Sequence, residues 1–136
     1  MNEMTQEKFT QDLLKKRTIY LEGEVSHEIA KSIGSSIMWL NAVDDSSEII
    51  LYINSSGGSV TAGLDIYDIV RYSKAPITGI IFRLANSMAT IILQACKTRK
   101  ALMHSEITIH NIKINMGWHE FEENLQETLK DTKRLQ

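Results

Sequence analysis

The sequence predicts an α/β fold of stacked βαβ units around a mostly parallel sheet. Two observations lead there. Short runs rich in β-branched and aromatic residues alternate with segments whose apolar residues recur at helical spacing. The single proline, Pro76, breaks the chain between one such helix and the next apolar run. A chain of 136 residues fits a single domain over 1–136, long enough for a core without disulfide staples.

Each element can be read in chain order. Residues 18–21 (TIYL) read as a strand, closed by Gly23. Residues 27–41 carry Ile29, Ile33, Ile37 and Leu40 along one helical face. Asp44, Asp45, Ser46 and Ser47 make a turn into residues 49–53 (IILYI), a continuous apolar run read as a buried strand. Residues 54–59 (NSSGGS) are a tight loop. Ala62, Ile66, Ile69 and Val70 mark a helix over 61–72, and residues 77–82 (ITGIIF) a third strand. Residues 87–97 hold Met88, Ile91, Ile92 and Ala95, so nearly apolar all round that the helix should be buried. Residues 100–103 and 107–112 read as short strands. A last helix over 118–134 aligns Trp118, Phe121, Leu125 and Leu129. In parallel sheets ligands meet the loops at the carboxyl ends of strands. The two such loops here are 54–59 and 83–87.

Composition narrows the function. Fifteen basic and 17 acidic residues give a net charge of −2, no signal for binding nucleic acid. The first 16 residues lack the apolar core of a signal peptide, and no apolar run could span a bilayer. One cysteine, Cys96, cannot form an internal disulfide and suits a reducing, cytoplasmic setting. It has no cysteine partner and no histidine pair has ligand spacing, so neither a zinc site nor any other cofactor is expected.

Two segments could carry chemistry. In Ser55-Ser56-Gly57-Gly58-Ser59 the paired glycines allow a sharp turn and close approach of a ligand, and their N–H groups could form a donor nest. The loop matches neither a P-loop nor a dinucleotide fingerprint, and it would equally serve as a plain turn. In Ala85-Asn86-Ser87-Met88-Ala89 a strand hands over to an apolar helix. Ser87 there either caps the helix or sits beside free N–H groups able to stabilise an oxyanion. It is not in a G-x-S-x-G elbow. Among the histidines, His27, His104 and His119 occupy polar positions. His110 sits in Ile107-Thr108-Ile109-His110, on the face opposite the two isoleucines.

Taken together these pieces resemble the Clp protease proteolytic subunit (ClpP) family of serine peptidases. Arg17-Thr18-Ile19-Tyr20-Leu21-Glu22-Gly23 resembles the family's first core strand. LYINSSGGS at 51–59 resembles its glycine turn, ANSMA at 85–89 its nucleophile segment and ITIH at 107–110 its histidine strand. The resemblance implies the ClpP/crotonase-like fold with a protruding C-terminal handle helix, here over 118–135. It implies Ser87 as nucleophile and His110 as general base, then acid. It also implies an oxyanion hole of the Gly58 and Met88 N–H groups, and a substrate strand laid beside Gly57 and Gly58. The product is an endopeptidase acting on unfolded proteins, assembled as a homo-oligomer of heptameric rings and fed by an AAA+ ATPase.

The chain departs from the family in places. The family's catalytic aspartate lies beyond the point where this sequence stops, so the third triad residue is unknown. Ser56 replaces a proline, Asn111-Ile112 a glutamine-proline, and Arg83-Leu84 a small glycine-containing pair. Two other readings compete. One is a weak or inactive ClpP-like subunit with a structural role. The other is a crotonase-type acyl-CoA enzyme, which needs no Ser/His pair and for which no acidic residue here is well placed.

Overall fold

The computed structural model describes residues 2–110. Helix α1 (Glu3–Lys15) is followed by β1 (Thr18–Glu22), α2 (His27–Val43), β2 (Ile49–Ser55), α3 (Val60–Tyr72), β3 (Ile77–Asn86), α4 (Met88–Ala95), β4 (Thr98–Ala101) and β5 (Glu106–Thr108). All strand pairs among the described residues are parallel, in the order β1-β2-β3-β4, with β5 also on β3. The expected α/β fold with a parallel sheet is what the chain adopts. The expected helix over 118–134, its handle role and His119 lie outside the described residues.

Parallel neighbours in sequential order have their crossover helices on one face of the sheet when every crossover keeps the usual right hand. The burial pattern agrees. Alternate residues of the strands, Ile19, Leu21, Ile49, Leu51, Ile53, Ile77 and Ile81, are buried against Ile33, Ile37 and Leu40 of α2, Ile66 of α3, and Ile92 and Leu93 of α4. The other face is less covered, so β2 alternates buried with half-buried residues instead of being buried throughout. That face carries Tyr20, whose ring centroid lies 5.9 Å from Tyr52 and 6.2 Å from Phe82.

Strand β3 differs most from expectation. It runs to Asn86, so residues 83–86 are strand and not loop. The reason is a partner remote in sequence. β4 pairs with Thr78–Ile81, and β5 then pairs with Leu84–Asn86 on the same edge. Between them the chain is held to β3 by Leu102 N–H (3.1 Å) and the Ser105 hydroxyl (2.9 Å), both donating to the Ile81 carbonyl. Against β2, Ile53 pairs with Ile81 but Ser55 with Ala85, so β3 carries two extra residues. Such a bulge bends a strand and re-aims the residues beyond it. Phe82 and the unexpected Arg83 stand exposed on it.

Helix α1 was not expected. The Asn2 side chain caps it, accepting from the Thr5 N–H at 2.9 Å, and it buries no residue fully. Just past its C-cap, Lys16, stands Arg17, whose φ of 55° is unusual for a residue with a side chain. That strain is offset by the guanidinium, which donates to the Leu40, Asp44, Ser47 and Glu48 carbonyls at 2.8–3.3 Å, tying α1, the end of α2 and the entry to β2 together. Strand β4 lies two residues earlier than expected, and β5 ends at Thr108.

Candidate active site

The glycine turn and the Ser87 turn, 30 residues apart in sequence, are packed against each other. Strands β2 and β3 are parallel neighbours, so both turns leave the same end of the sheet. The buried Ser55 hydroxyl accepts the Gly57 N–H at 3.1 Å and starts the turn. Val25 then grips it by its own backbone, donating to the Gly57 carbonyl at 2.8 Å and accepting from the Ser59 N–H at 2.9 Å. Gly57 has φ 96° and Gly58 φ 152°. A Cβ on Gly57 would lie 2.8 Å from the Asn86 carbonyl oxygen, 2.9 Å from Ser87 Cβ and 3.0 Å from Met88 N. Only glycine lets the turns come this close.

Ser87 occupies the N-cap position of α4, yet its side chain makes no capping bond. Its backbone is at φ 52°, ψ −122°, sparsely populated for a non-glycine residue and worth about 1–3 kcal/mol of strain. An ordinary capping serine has extended backbone and bonds the first turn; Ser87 does neither. The conformation is held by backbone bonds, the Ser87 N–H to the Thr108 carbonyl at 2.8 Å and the Thr90 N–H to the Ser87 carbonyl at 3.0 Å. The Ser87 side chain is therefore presented at a sharp strand-to-helix turn without being consumed by the helix it precedes.

Met88 follows Ser87 directly, and Gly58 follows the glycine whose Cβ position would meet this turn. Among the described residues neither N–H donates a hydrogen bond. Met88 is the first residue of an eight-residue helix, whose opening N–H groups point outward and carry partial positive charge. Gly57 is different, because its N–H and carbonyl are engaged by Ser55 and Val25.

His110 enters from β5, which pairs Asn86 with Thr108. It stands two residues beyond Thr108, the acceptor of the Ser87 N–H, and is exposed. The fold thus brings the chain leading to His110 to the Ser87 turn, at the end of the sheet where the glycine turn also lies. His27 is also exposed, its Nε2 3.3 Å from the Thr61 hydroxyl near the start of α3. Sequence reasoning missed Thr90. It is buried, and its hydroxyl donates to the Ala85 carbonyl at 2.8 Å and lies 3.3 Å from the Thr108 carbonyl. No local pattern flags it, since one acceptor lies 18 residues away. Asn86, just before Ser87, has a buried Oδ1 with no hydrogen-bond partner among the described residues.

Elsewhere the described residues offer little competing chemistry. No group of three or more His, Cys, Asp or Glu among them is placed to hold a metal ion. No helix among them is long and apolar enough to cross a membrane. Cys96 is buried beneath β3, and desolvation pushes its thiol up to about 11, which suppresses the reactive thiolate.

Comparison with known proteins gives the family. Two curated relatives are each called "ATP-dependent Clp protease proteolytic subunit". The one from Leuconostoc citreum (strain KM20) is 46% identical over 100 residues, covering 72% of this chain and 50% of the relative. The one from Ligilactobacillus salivarius (strain UCC118) is 43% identical over 100 residues, covering 72% of this chain and 51% of the relative. The chain spans about half the length of these curated relatives. The family model described as "Clp protease" matches residues 1–136. With a match of that extent behind the glycine turn and the strained serine, the chain belongs to the Clp protease family.

Proposed function

We propose that the protein is a serine-type endopeptidase that cleaves unfolded polypeptides through an acyl-enzyme on Ser87. The observation that carries this reading is the Ser87 turn, with strained backbone, no capping bond and the Gly57 turn pressed against it. Ser87 Oγ attacks the peptide carbonyl. His110 accepts its proton and returns it to the leaving amine, and water then releases the acyl group by the same steps in reverse. The Gly58 and Met88 N–H groups bind the oxyanion, where their worth rises as the carbonyl oxygen becomes charged. The substrate backbone lies along the glycine turn. Gly58 supplies the polar groups and Gly57 the close approach, because Gly57's own N–H and carbonyl are already engaged.

The relatives' printed name favours a peptidase over an inactive subunit. Its words "ATP-dependent" and "subunit" favour work in an assembly with an ATPase, for which rings and an AAA+ unfoldase are the proposed form. A buried cysteine with no disulfide is compatible with a cytoplasmic setting.

The test is labelling with a fluorophosphonate probe. The parent should label and Ser87→Ala should not. His110→Ala should slow labelling on the order of 10²- to 10⁴-fold. Equal labelling of parent and Ser87→Ala would sink the reading.

A further inference from the structure

The geometry points to Thr90 as the positioning residue of this site: one buried hydroxyl that ties the strand end carrying Ser87 to the strand end leading to His110. The inference rests on the peptidase reading above and adds a residue to it.

Thr90 is the third residue of α4 and only 3% exposed. A threonine within a helix commonly turns its hydroxyl back to a carbonyl three or four residues earlier in the same helix. At the third helical position Thr90 has no such carbonyl, since residues 86 and 87 precede α4, and its hydroxyl turns to the sheet. Its Oγ1 donates to the carbonyl of Ala85, five residues back in β3, and is shared with the carbonyl of Thr108 in β5. The Thr108 carbonyl also accepts the Ser87 N–H, so one oxygen receives both the nucleophile's amide and the Thr90 hydroxyl. Through its own N–H, Thr90 holds the Ser87 carbonyl as well.

One residue therefore contacts three points: the strand before Ser87, the Ser87 turn, and the strand before His110. A strained conformation such as that of Ser87 persists only where its surroundings over-determine it. Thr90 supplies part of that restraint and links it to the histidine strand. Strand β5 needs such a tie, because it is three residues long and wholly exposed. Nucleophile and base act together only at hydrogen-bond reach, and a displacement of about 1 Å can cost on the order of 10²-fold in rate.

The experiment measures the fluorophosphonate labelling rate of the full chain across pH for the parent, Thr90→Val, Thr90→Ser and Thr90→Ala. Thr90→Val keeps the shape and removes the donor. It should label about 10- to 100-fold more slowly, and the rise of rate with histidine deprotonation should flatten. Thr90→Ser restores the hydroxyl and should return both rate and profile to the parent's. If Thr90→Val does not fold, Thr90→Ala, which admits water to the two carbonyls, should show the same loss.

Parent-like labelling by Thr90→Val overturns the assignment, as does a Thr90→Ser variant as slow as Thr90→Val or Thr90→Ala. A slower rate with an unchanged pH profile also overturns it, because loss of packing alone would do that. A parent that takes no label breaks the nucleophile reading before Thr90 is varied, which separates the two failures.

Discussion

Two serines stand at equivalent places in this fold. Ser59 follows β2 and precedes α3; Ser87 follows β3 and precedes α4. Ser59 has negative φ, and its hydroxyl accepts the Ala62 N–H at 3.2 Å, as a capping serine should. Ser87 has positive φ and caps nothing. The same residue type at the same kind of junction is a stabilising cap in one turn and a strained residue that caps nothing in the other. Arg17, the other non-glycine residue with positive φ, sharpens the contrast. Its strain is matched by four hydrogen bonds from its own side chain. Among the described residues nothing comparable comes from the Ser87 side chain, and the proposed nucleophile role builds on that difference.

Substitutions test this contrast, beginning with the largest effect. Gly57→Ala drives a methyl group into the Asn86 carbonyl and the Ser87 turn, at a backbone angle that disfavours side chains. It should cost about 2–4 kcal/mol in denaturant unfolding and abolish fluorophosphonate labelling. An unaffected Gly57→Ala would mean that the turns are not coupled. Ser59→Ala should lower stability by about 1 kcal/mol and leave the labelling rate of the folded protein unchanged. Ser87→Gly should have the opposite sign. It loses labelling entirely but raises stability by about 0.5–1 kcal/mol, relief of strain exceeding the added chain entropy. A loss of stability in Ser87→Gly equal to that in Ser59→Ala would erase the distinction between the two serines.

Much of this arrangement was legible in the sequence. The β-branched runs at 18–21 and 49–53 and the spacing of Ile33, Ile37 and Leu40 fixed two strands and a helix, because their burial follows the local pattern. The rest depended on partners that no local pattern names. Residues 83–86 look like a loop until β5 pairs with them. Strand β4 (TRKA) is polar and exposed, so the apolar Leu102 and Met103 drew the expected strand two residues too far. Helix α1 hides for a similar reason, since a helix with no fully buried residue shows a diluted stripe. At the site, residue type and position left Ser87 and the glycine pair open to a plain cap and a plain turn, and the family resemblance singled them out. The backbone angle that separates Ser87 from an ordinary cap is a product of packing, as is the reach of Thr90 to Thr108.

The buried Cys96 gives the chain an internal clock. It is the sole cysteine, 2% exposed, and its sulfur lies against the glycine at position 79 of β3, where an added Cβ would stand only 2.8 Å from it. Its thiol holds its proton more tightly when folded than when unfolded. Its contribution to stability is therefore complete below about pH 9 and declines as pH rises toward about 11. Below that window a thiol reagent can reach the sulfur only when α4 lifts from the sheet. The rate of modification then times the opening of the helix that begins at Met88, with no added probe and no second site to confuse the signal.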